Sequence, residues 1–179
     1  DRRNAGVRIM RRMRHLKPRE IQGCQLALDA SIATSLYDAT SGGSLVAANG
    51  AVARLEDQSG NAKHVTQATS GFQPLRRAAQ KNGLGAIEFD STDDRMINSS
   101  ISVSLPQTVM VFGQSAQDRA AFIDSYNNNQ CILYRGGTSD QDGKFAASNS
   151  VTASITNDSE YGCLISTYSS GGVTIQRGR

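Results

Sequence analysis

Short strand-like runs, separated by residues that favour turns, fill the chain from residue 25 onward. Within each run, apolar side chains tend to alternate with polar ones, which is the pattern of a strand with one buried face. Helical patterns are scarce, and the helical candidate in this part of the chain is residues 75–80. We predict strands at residues 26–30, 51–55, 85–90, 100–105, 108–113, 121–125, 131–134, 145–148, 163–167 and 173–176.

The turns between these runs, together with length and composition, indicate one fold class. Gly42-Gly43, Gly136-Gly137, Gly171-Gly172 and the three asparagines at residues 127–129 accept the backbone angles of tight turns. The chain has 179 residues, with 17 glycines, no tryptophan and 38% apolar residues. This length suits one domain with a core, and this composition suits many short strands. We therefore predict an all-β sandwich or jelly roll, in which each strand alternates inward and outward side chains.

Charge is divided unevenly along the chain. Residues 1–22 carry eight basic side chains and two acidic ones, whereas the remaining residues carry eleven basic and fourteen acidic ones. The net charge of +3 therefore combines a basic arm, residues 1–22, with a mildly acidic body, residues 23–179. Because the body is not basic, we expect it to have no specific nucleic-acid partner.

Two interpretations of the arm stay open. In the first, it is a solvated tail. Val7, Met10 and Met13 are spaced by three residues, so their side chains would shift around a helix and give only a weak apolar face. Pro18 would end any helix there. In the second, it is an anchor that orders on an acidic surface of protein, phospholipid or nucleic acid. It has no interleaved aromatic residues of the kind that bind single-stranded nucleic acid. The arginines that would form the anchor are Arg2, Arg3, Arg8, Arg11, Arg12 and Arg14.

Cysteine spacing and hydropathy lead to expectations about disulfides, metal sites and membrane spans. Cys24, Cys131 and Cys163 have neither the number nor the spacing of a disulfide framework or a metal site, so we interpret them as core thiols. One disulfide plus a free thiol is the open alternative. The sequence has no run of about 18 apolar residues, so we expect no membrane span. A chain that begins with Asp1 is expected to have been trimmed or processed.

Three stretches in the first half of the chain are more specific than the number of strands. They are residues 26–30 (Leu-Ala-Leu-Asp-Ala), residues 52–61 followed by His64 and Gln67, and residues 82–96. Together they resemble the start of concanavalin A-like, laminin-G-like (LamG-type) domains, which occur in bacterial surface proteins and in phage virion, fibre and tail proteins. The resemblance covers residues 25–115 and implies a β-sandwich jelly roll that follows the N-terminal basic arm.

The resemblance also shows where this chain departs from the family pattern. The turn Ser59-Gly60-Asn61 requires residues that accept positive φ or that bond to their own backbone. Leu55 stands where the resemblance leads us to expect Trp, and Ser91 stands where Gly is usual. Leu55 can fill a core position with less area than an aromatic ring, and its presence removes surface against which a sugar could stack. The resemblance implies further strands after residue 176, so we expect the domain to be incomplete at its C-terminus, completed by another chain, or reduced.

Acid–base catalysis needs two carboxylates held across a substrate. Glu56 and Asp57 are neighbours, and neighbouring residues on a strand point to opposite faces. Glu88 and Asp90 could share a face, as in related jelly-roll glycosidases, but the resemblance assigns Asp90 to a turn. The sequence has no Gly-x-Ser-x-Gly elbow for a catalytic triad and no phosphate-binding glycine loop. We therefore predict that the protein is not an enzyme and has no catalytic residues.

Acidic and amide side chains after two of the strands could form a loop for a ligand or an ion. Carboxylate and amide oxygens are the ligands that Ca²⁺ prefers, although EF-hand spacing is absent from the sequence. The same side chains can instead cap turns by accepting hydrogen bonds from the backbone. We favour capping and expect no cofactor, with Ca²⁺ held by Asp90, Asp93 and Asp94 as the alternative. The candidates for the ligand loop are Asp57, Asn61, Asp90, Asp93 and Asp94.

Three functions are consistent with the resemblance and the arm. The first is a non-enzymatic phage virion component, either a capsid decoration or a fibre/tail protein, which is anchored by its arm among other virion proteins. Such a protein is expected to be oligomeric, so that weak contacts with surface glycans add together. The second is a carbohydrate-binding module of a secreted or surface bacterial protein, and the third is a jelly-roll glycan hydrolase or lyase. The sequence leaves the ligand, the oligomeric state and the host open.

Overall fold

A computed structural model describes residues 17–102, 104 and 106–113, and five further strands by their backbone. Short 3₁₀ turns lie at Pro18–Glu20, Ala33–Ser35 and Ser70–Phe72. The strands are β1 (Leu36–Tyr37), β2 (Arg54–Leu55), β3 (Val65–Thr66), β4 (Leu75–Lys81), β5 (Leu84–Glu88), β6 (Gln107–Gly113), β7 (Ala121–Ile123), β8 (Ile132–Tyr134), β9 (Lys144–Ala146), β10 (Gly162–Ser169) and β11 (Gly172–Gly178).

The chain divides into two compact units, Asp1–Ile101 and Ser102–Arg179. The first contains a sheet with the strand order β1-β2-β3 and the hairpin β4-β5, and the second contains sheets with the orders β11-β10-β6 and β7-β8-β9. All of these pairs are antiparallel. In the part of the chain that the structure describes, antiparallel strands predominate and helices are limited to short turns, which confirms the all-β prediction at this level.

Several predicted strands are present with shifted ends. Residues 85–90 correspond to β5, residues 108–113 to β6, and the two last predicted runs to β10 and β11, which are both longer than predicted. The shorter runs at residues 121–125, 131–134 and 145–148 each contain a strand, in β7, β8 and β9.

Other predicted strands are much reduced. Residues 26–30 form only a single bridge, between Leu28 and Asp57, and residues 51–55 contribute the two residues of β2 and a bridge from Ala51 to Leu75. Residues 100–102 and 104 lie outside strands, so the prediction for residues 100–105 is wrong for the residues that the structure describes.

The prediction of a helix at residues 75–80 is wrong, because these residues form most of β4. Their composition favours a helix, but they form one strand of a hairpin. In this hairpin, Lys81 pairs with Leu84 across the two-residue loop Asn82-Gly83. Both loop residues have positive φ, 53° and 77°, as a type I′ turn requires. Propensity is a weak influence beside a turn that fixes a partner strand.

The core of the first unit lies on one face of the sheet β1-β2-β3. The register places Leu36 opposite Leu55 and Leu55 opposite Val65, so that these three side chains share a face. Leu36 is fully buried and Leu55 is 2% exposed, which confirms the prediction that Leu55 fills a core position. The other members of this cluster and its partly buried neighbours are Val46, Val52, Ile87 and Met96.

Candidate functional site

The turn of residues 57–61, here called the Asp57 turn, is built from the side chain of its first residue. Asp57 Oδ1 accepts a hydrogen bond from the backbone N–H of Ser59 at 2.8 Å, and Asp57 Oδ2 accepts one from the Ser59 hydroxyl at 2.7 Å. Gly60 has a φ of 91°, a conformation that glycine adopts readily. The local requirements that the sequence predicted for this turn are therefore confirmed at Ser59 and Gly60.

The Asp57 carboxylate is nearly buried, at 8% exposed, and its oxygens are shared among several donors. Besides Ser59, the backbone N–H groups of Ala27 and Lys63 each donate to it at 3.0 Å. Burial raises the pKa of this carboxyl, but the hydrogen bonds from Ala27, Ser59 and Lys63 outweigh burial, so the pKa is lowered from its usual value of 3.8. The carboxylate is thus charged and engaged with the protein itself.

The Asp57 turn binds the segment that directly follows the arm. Asn61 Nδ2 donates to the backbone oxygens of Cys24 and Gln25 at 2.9 and 3.2 Å. The backbone N–H of Gln58 donates to the Ala27 oxygen at 2.7 Å. With the bond from Ala27 to Asp57, these contacts hold residues 24–27, and we call the whole set of contacts the clamp.

His64 contacts the Asp57 turn directly, although its place in the sequence pattern did not predict this contact. The backbone N–H of Asp57 donates to His64 Nδ1 at 3.0 Å, and the His64 backbone oxygen accepts from Asn98 Nδ2 at 2.7 Å. An imidazole nitrogen that accepts a hydrogen bond carries no proton, so the ring proton of neutral His64 is on Nε2. Asp57 and His64 lie seven positions apart in the sequence. No established motif has this spacing, so the sequence did not predict their contact.

The second candidate region is the loop of residues 90–94, here called the acidic loop. Asp90 Oδ1 accepts hydrogen bonds from the backbone N–H groups of Thr92, Asp93 and Asp94, at 2.8, 3.3 and 3.4 Å. In return, the Asp90 N–H donates to Asp94 Oδ2 at 2.9 Å. Carboxylates therefore cap the backbone of this loop, which is the interpretation that we favoured from the sequence.

The loop also contains a strained residue. Ser91 has a φ of 67°, in the left-handed region that costs most residues about 1 kcal/mol or more. This is the position at which the resemblance leads us to expect glycine, which adopts this conformation readily.

Two carboxyl groups of the acidic loop have pKa values that are shifted in opposite directions. The backbone N–H of Thr92 lowers the pKa of Asp90, with smaller contributions in the same direction from the N–H groups of Asp93 and Asp94. Burial raises the pKa of Asp94, and repulsion from the charges of Asp90 and Asp93 raises it further. Asp94 therefore gains a proton more readily than Asp90.

The acidic loop brings together the three carboxylates that the sequence offered for Ca²⁺. One oxygen from each of Asp90, Asp93 and Asp94 lies within 4.8 Å of the others, and this is the sole cluster of metal-ligand type among the described residues. Asp57 and Asn61 are not members of it. The chemistry of three carboxylates suits a hard cation, but Asp90 and Asp94 already accept backbone hydrogen bonds, so capping accounts for their positions without an ion.

In each of the two acid pairs that we considered for catalysis, one carboxylate has an arginine partner. Arg77 donates to both oxygens of Glu88, at 2.8 and 3.1 Å, and this interaction lowers the pKa of Glu88. Glu56 pairs with Arg54 at 3.5 Å, whereas Asp57 accepts a hydrogen bond from the backbone N–H of Ala27 in the clamp. Glu56 and Asp57 thus engage different groups, and both lie just after the end of β2 at Leu55.

Two hydrogen bonds hold the backbone of Arg95, the residue directly after the acidic loop. Gln67 Nε2 donates to the Arg95 backbone oxygen at 3.1 Å, and the Arg95 N–H donates to the Phe72 oxygen at 3.0 Å. The Arg95 guanidinium lies 4.1 Å from the centre of the Phe72 ring. Gln67 is nearly buried.

The predicted anchor arginines, from Arg2 to Arg14, lie outside the described residues. Among the residues that are described, no helix is long and apolar enough to cross a membrane.

Comparisons with protein-family models, curated proteins and solved structures gave no match to this chain. The resemblance to concanavalin A-like domains therefore stays a prediction based on the three sequence stretches.

Proposed function

We propose that this protein is a non-enzymatic structural and binding protein, a phage virion component of the capsid-decoration or fibre/tail type. Its basic arm anchors it to other virion proteins, and its body is a LamG-type jelly roll, displayed in several copies, that binds surface glycans. A carbohydrate-binding module of a secreted or surface bacterial protein, without the virion anchor, is the alternative.

The observation that supports this proposal most directly is the clamp. It joins residues 24–27, near the start of the body and close to the end of the basic arm, to Asp57, Gln58 and Asn61. The clamp thus fixes the point at which the arm leaves the body in every copy, and display of many such copies lets weak contacts with a repetitive surface add together.

The proposal of a binding protein also agrees with what the acidic groups do. Asp57 and Asp90 accept backbone hydrogen bonds, and Glu88 is paired with Arg77. A general acid that works near neutral pH needs a raised pKa, whereas the pKa values of these three carboxyls are lowered. The pKa of Asp94 is raised, and its carboxylate accepts the backbone N–H of Asp90.

Deletion of residues 1–22 tests the anchor. The truncated chain is expected to keep the circular dichroism spectrum and unfolding transition of the full chain, because the clamp begins at Cys24, and to lose association with particles. Equal occupancy of particles by the full and truncated chains would contradict the proposal.

A glycan array probed with the full chain tests whether the protein binds glycans. Binding that persists after deletion of residues 1–22 is expected if the body carries the glycan site. Turnover of a bound glycan that Glu88→Gln abolishes would show that the protein is an enzyme and would overturn the proposal.

A further inference from the structure

The sequence contains two Asn-Gly pairs, Asn49-Gly50 and Asn82-Gly83, and both lie among the described residues. Asn-Gly pairs are chemically labile because the backbone nitrogen after asparagine can attack its side-chain amide, and glycine offers no side chain to hinder that attack. Both asparagines have left-handed backbones, with φ of 64° and 53°. Their φ angles therefore do not distinguish them, and any difference in reactivity must come from their surroundings.

Both groups that would react at the first pair are restrained. Arg77 donates to Asn49 Oδ1 at 2.7 Å, which holds the side-chain amide, and the Gly50 N–H donates to the Ala47 oxygen at 3.0 Å. The Asn49 N–H is itself bound to the Arg76 oxygen at 2.7 Å. Gly50 is also closely packed, since a Cβ atom there would lie 2.8 Å from Val46 Cγ1. Attack at Asn49 requires several of these contacts to break together.

The second pair lies in different surroundings. Asn82 and Gly83 are both exposed at the loop of the β4-β5 hairpin. No hydrogen bond holds the Asn82 side chain within the described part of the chain, and a Cβ atom placed on Gly83 would have no neighbour within 4 Å. Loop tips of this kind open locally at a small free-energy cost, whereas packed backbone does not.

We propose that Asn82 is a site of spontaneous deamidation and that Asn49 is protected. The Gly83 nitrogen forms a bond to Asn82 Cγ and loses its proton, and the C–N bond of the side-chain amide breaks to release ammonia. Water then opens the cyclic imide at either carbonyl, which yields aspartate or isoaspartate. No oxidant or reductant takes part.

The isoaspartate product would change the hairpin. It adds one carbon atom to the main chain of a two-residue turn, and the length of that turn sets the β4-β5 register. The register pairs Arg76 with Ile87 and Arg77 with Ala86, and Ile87 packs against the core cluster. Deamidation is therefore expected to loosen the hairpin as the protein ages.

Peptide mapping by mass spectrometry tests this proposal on the full chain. The protein is incubated in mildly alkaline buffer, natively and in urea, and deamidation of the two asparagines is followed over time. Native Asn82 is expected to react within about tenfold of its rate in urea, and native Asn49 at least about tenfold more slowly than native Asn82, since roughly 1.4 kcal/mol of extra opening free energy gives that factor. Equal native rates, faster reaction at Asn49 or an unreactive Asn82 would overturn the proposal.

Two matched variants test the cause of protection at Asn49. Arg77→Ala removes the donor to Asn49 Oδ1 and is expected to speed deamidation at Asn49. Glu88→Gln weakens the other partner of Arg77 but leaves that donor in place, so it is expected to leave Asn49 slow. Failure of Arg77→Ala to raise the rate above that of Glu88→Gln would contradict the proposed protection.

Discussion

At the scale of single residues, Asp57 combines burial with an unusual number of donors. Its oxygens accept from three backbone N–H groups and one hydroxyl, and its own N–H donates to His64. The sequence identified Asp57 as important through its position before Ser59-Gly60-Asn61. It could not show that the partners include Ala27, because contacts between residues about 30 positions apart have no local signature.

Asp57→Asn is expected to destabilise the first unit by roughly 1–3 kcal/mol, because the amide group brings donors into a position surrounded by donors. Urea unfolding followed by circular dichroism measures the change. Asp29→Asn is the matched control, since Asp29 also accepts from a nearby N–H and hydroxyl, those of Ser31, but is exposed. A loss of stability no larger than that of Asp29→Asn would argue against the clamp.

The lowered pKa of Asp57 makes this contribution dependent on pH. A carboxyl whose pKa is lower in the folded state stabilises the protein above its unfolded pKa, near 3.8, and this stabilisation is lost as pH falls through the folded value. The stability difference between the wild type and Asp57→Asn is therefore expected to narrow in acid. Urea unfolding of both proteins over a series of acidic pH values measures it, and a constant difference would contradict the assignment.

Ser91→Gly is expected to stabilise the protein by up to about 1 kcal/mol, because glycine relieves the left-handed strain but gains entropy in the unfolded chain. Thr92→Gly is the control, since Thr92 has no positive φ, and glycine there brings the entropic penalty and removes the hydrogen bond between the Thr92 side chain and Asp90. Thermal unfolding of the two variants should show shifts of opposite sign. Destabilisation by Ser91→Gly would mean that the serine side chain contributes more than its backbone strain removes.

At the scale of elements, period-two patterns predicted the long strands β6, β10 and β11, missed the equally long β4, and predicted the two-residue strands poorly. Strands β6, β10 and β11 extend over seven or eight residues, which is long enough for the alternation to be recognisable. Strand β2 has two residues, and its pairing depends on partners elsewhere in the chain. Residues 75–80 were misassigned because their alanines and arginines favour helices, while the decisive signal, Asn82-Gly83, lies just after them.

Leu36→Ala is expected to destabilise the protein by about 2–5 kcal/mol, since it leaves a cavity where β1 and β2 face the core. Leu45→Ala removes the same atoms from a side chain that is 51% exposed and provides the control. Urea unfolding midpoints of the two variants compare them directly. Similar losses would place the core of the first unit elsewhere.

At the scale of the whole molecule, charge separates the arm from the body more clearly than the strand pattern does. The arm has an excess of basic residues and the body an excess of acidic ones. An anchor of this kind works through many weak ionic contacts, which salt screens over a distance of about 10 Å at moderate ionic strength. Its strength should therefore depend on the charge of the arm more than on the identity of its residues.

Replacement of the six arginines of the proposed anchor by glutamine is expected to abolish particle association, whereas replacement by lysine should preserve most of it and make it more sensitive to salt, because lysine lacks the bidentate geometry of arginine. Co-sedimentation with particles at several salt concentrations is the measurement. Equal loss in both variants would point to specific arginine contacts, and no loss in the glutamine variant would contradict the anchor. The arginines are Arg2, Arg3, Arg8, Arg11, Arg12 and Arg14.

The first residues of the body are held to the rest of it by non-covalent contacts, among them the clamp. Residues 24–37 are joined to later residues by hydrogen bonds of the clamp and by the pairing of β1 with β2. The chain then passes through an exposed loop, in which the Ser44 N–H donates to Asp38 Oδ1 at 2.7 Å. A protease that cut this loop would leave two pieces held by the same non-covalent contacts, so the arm would stay attached to a nicked body.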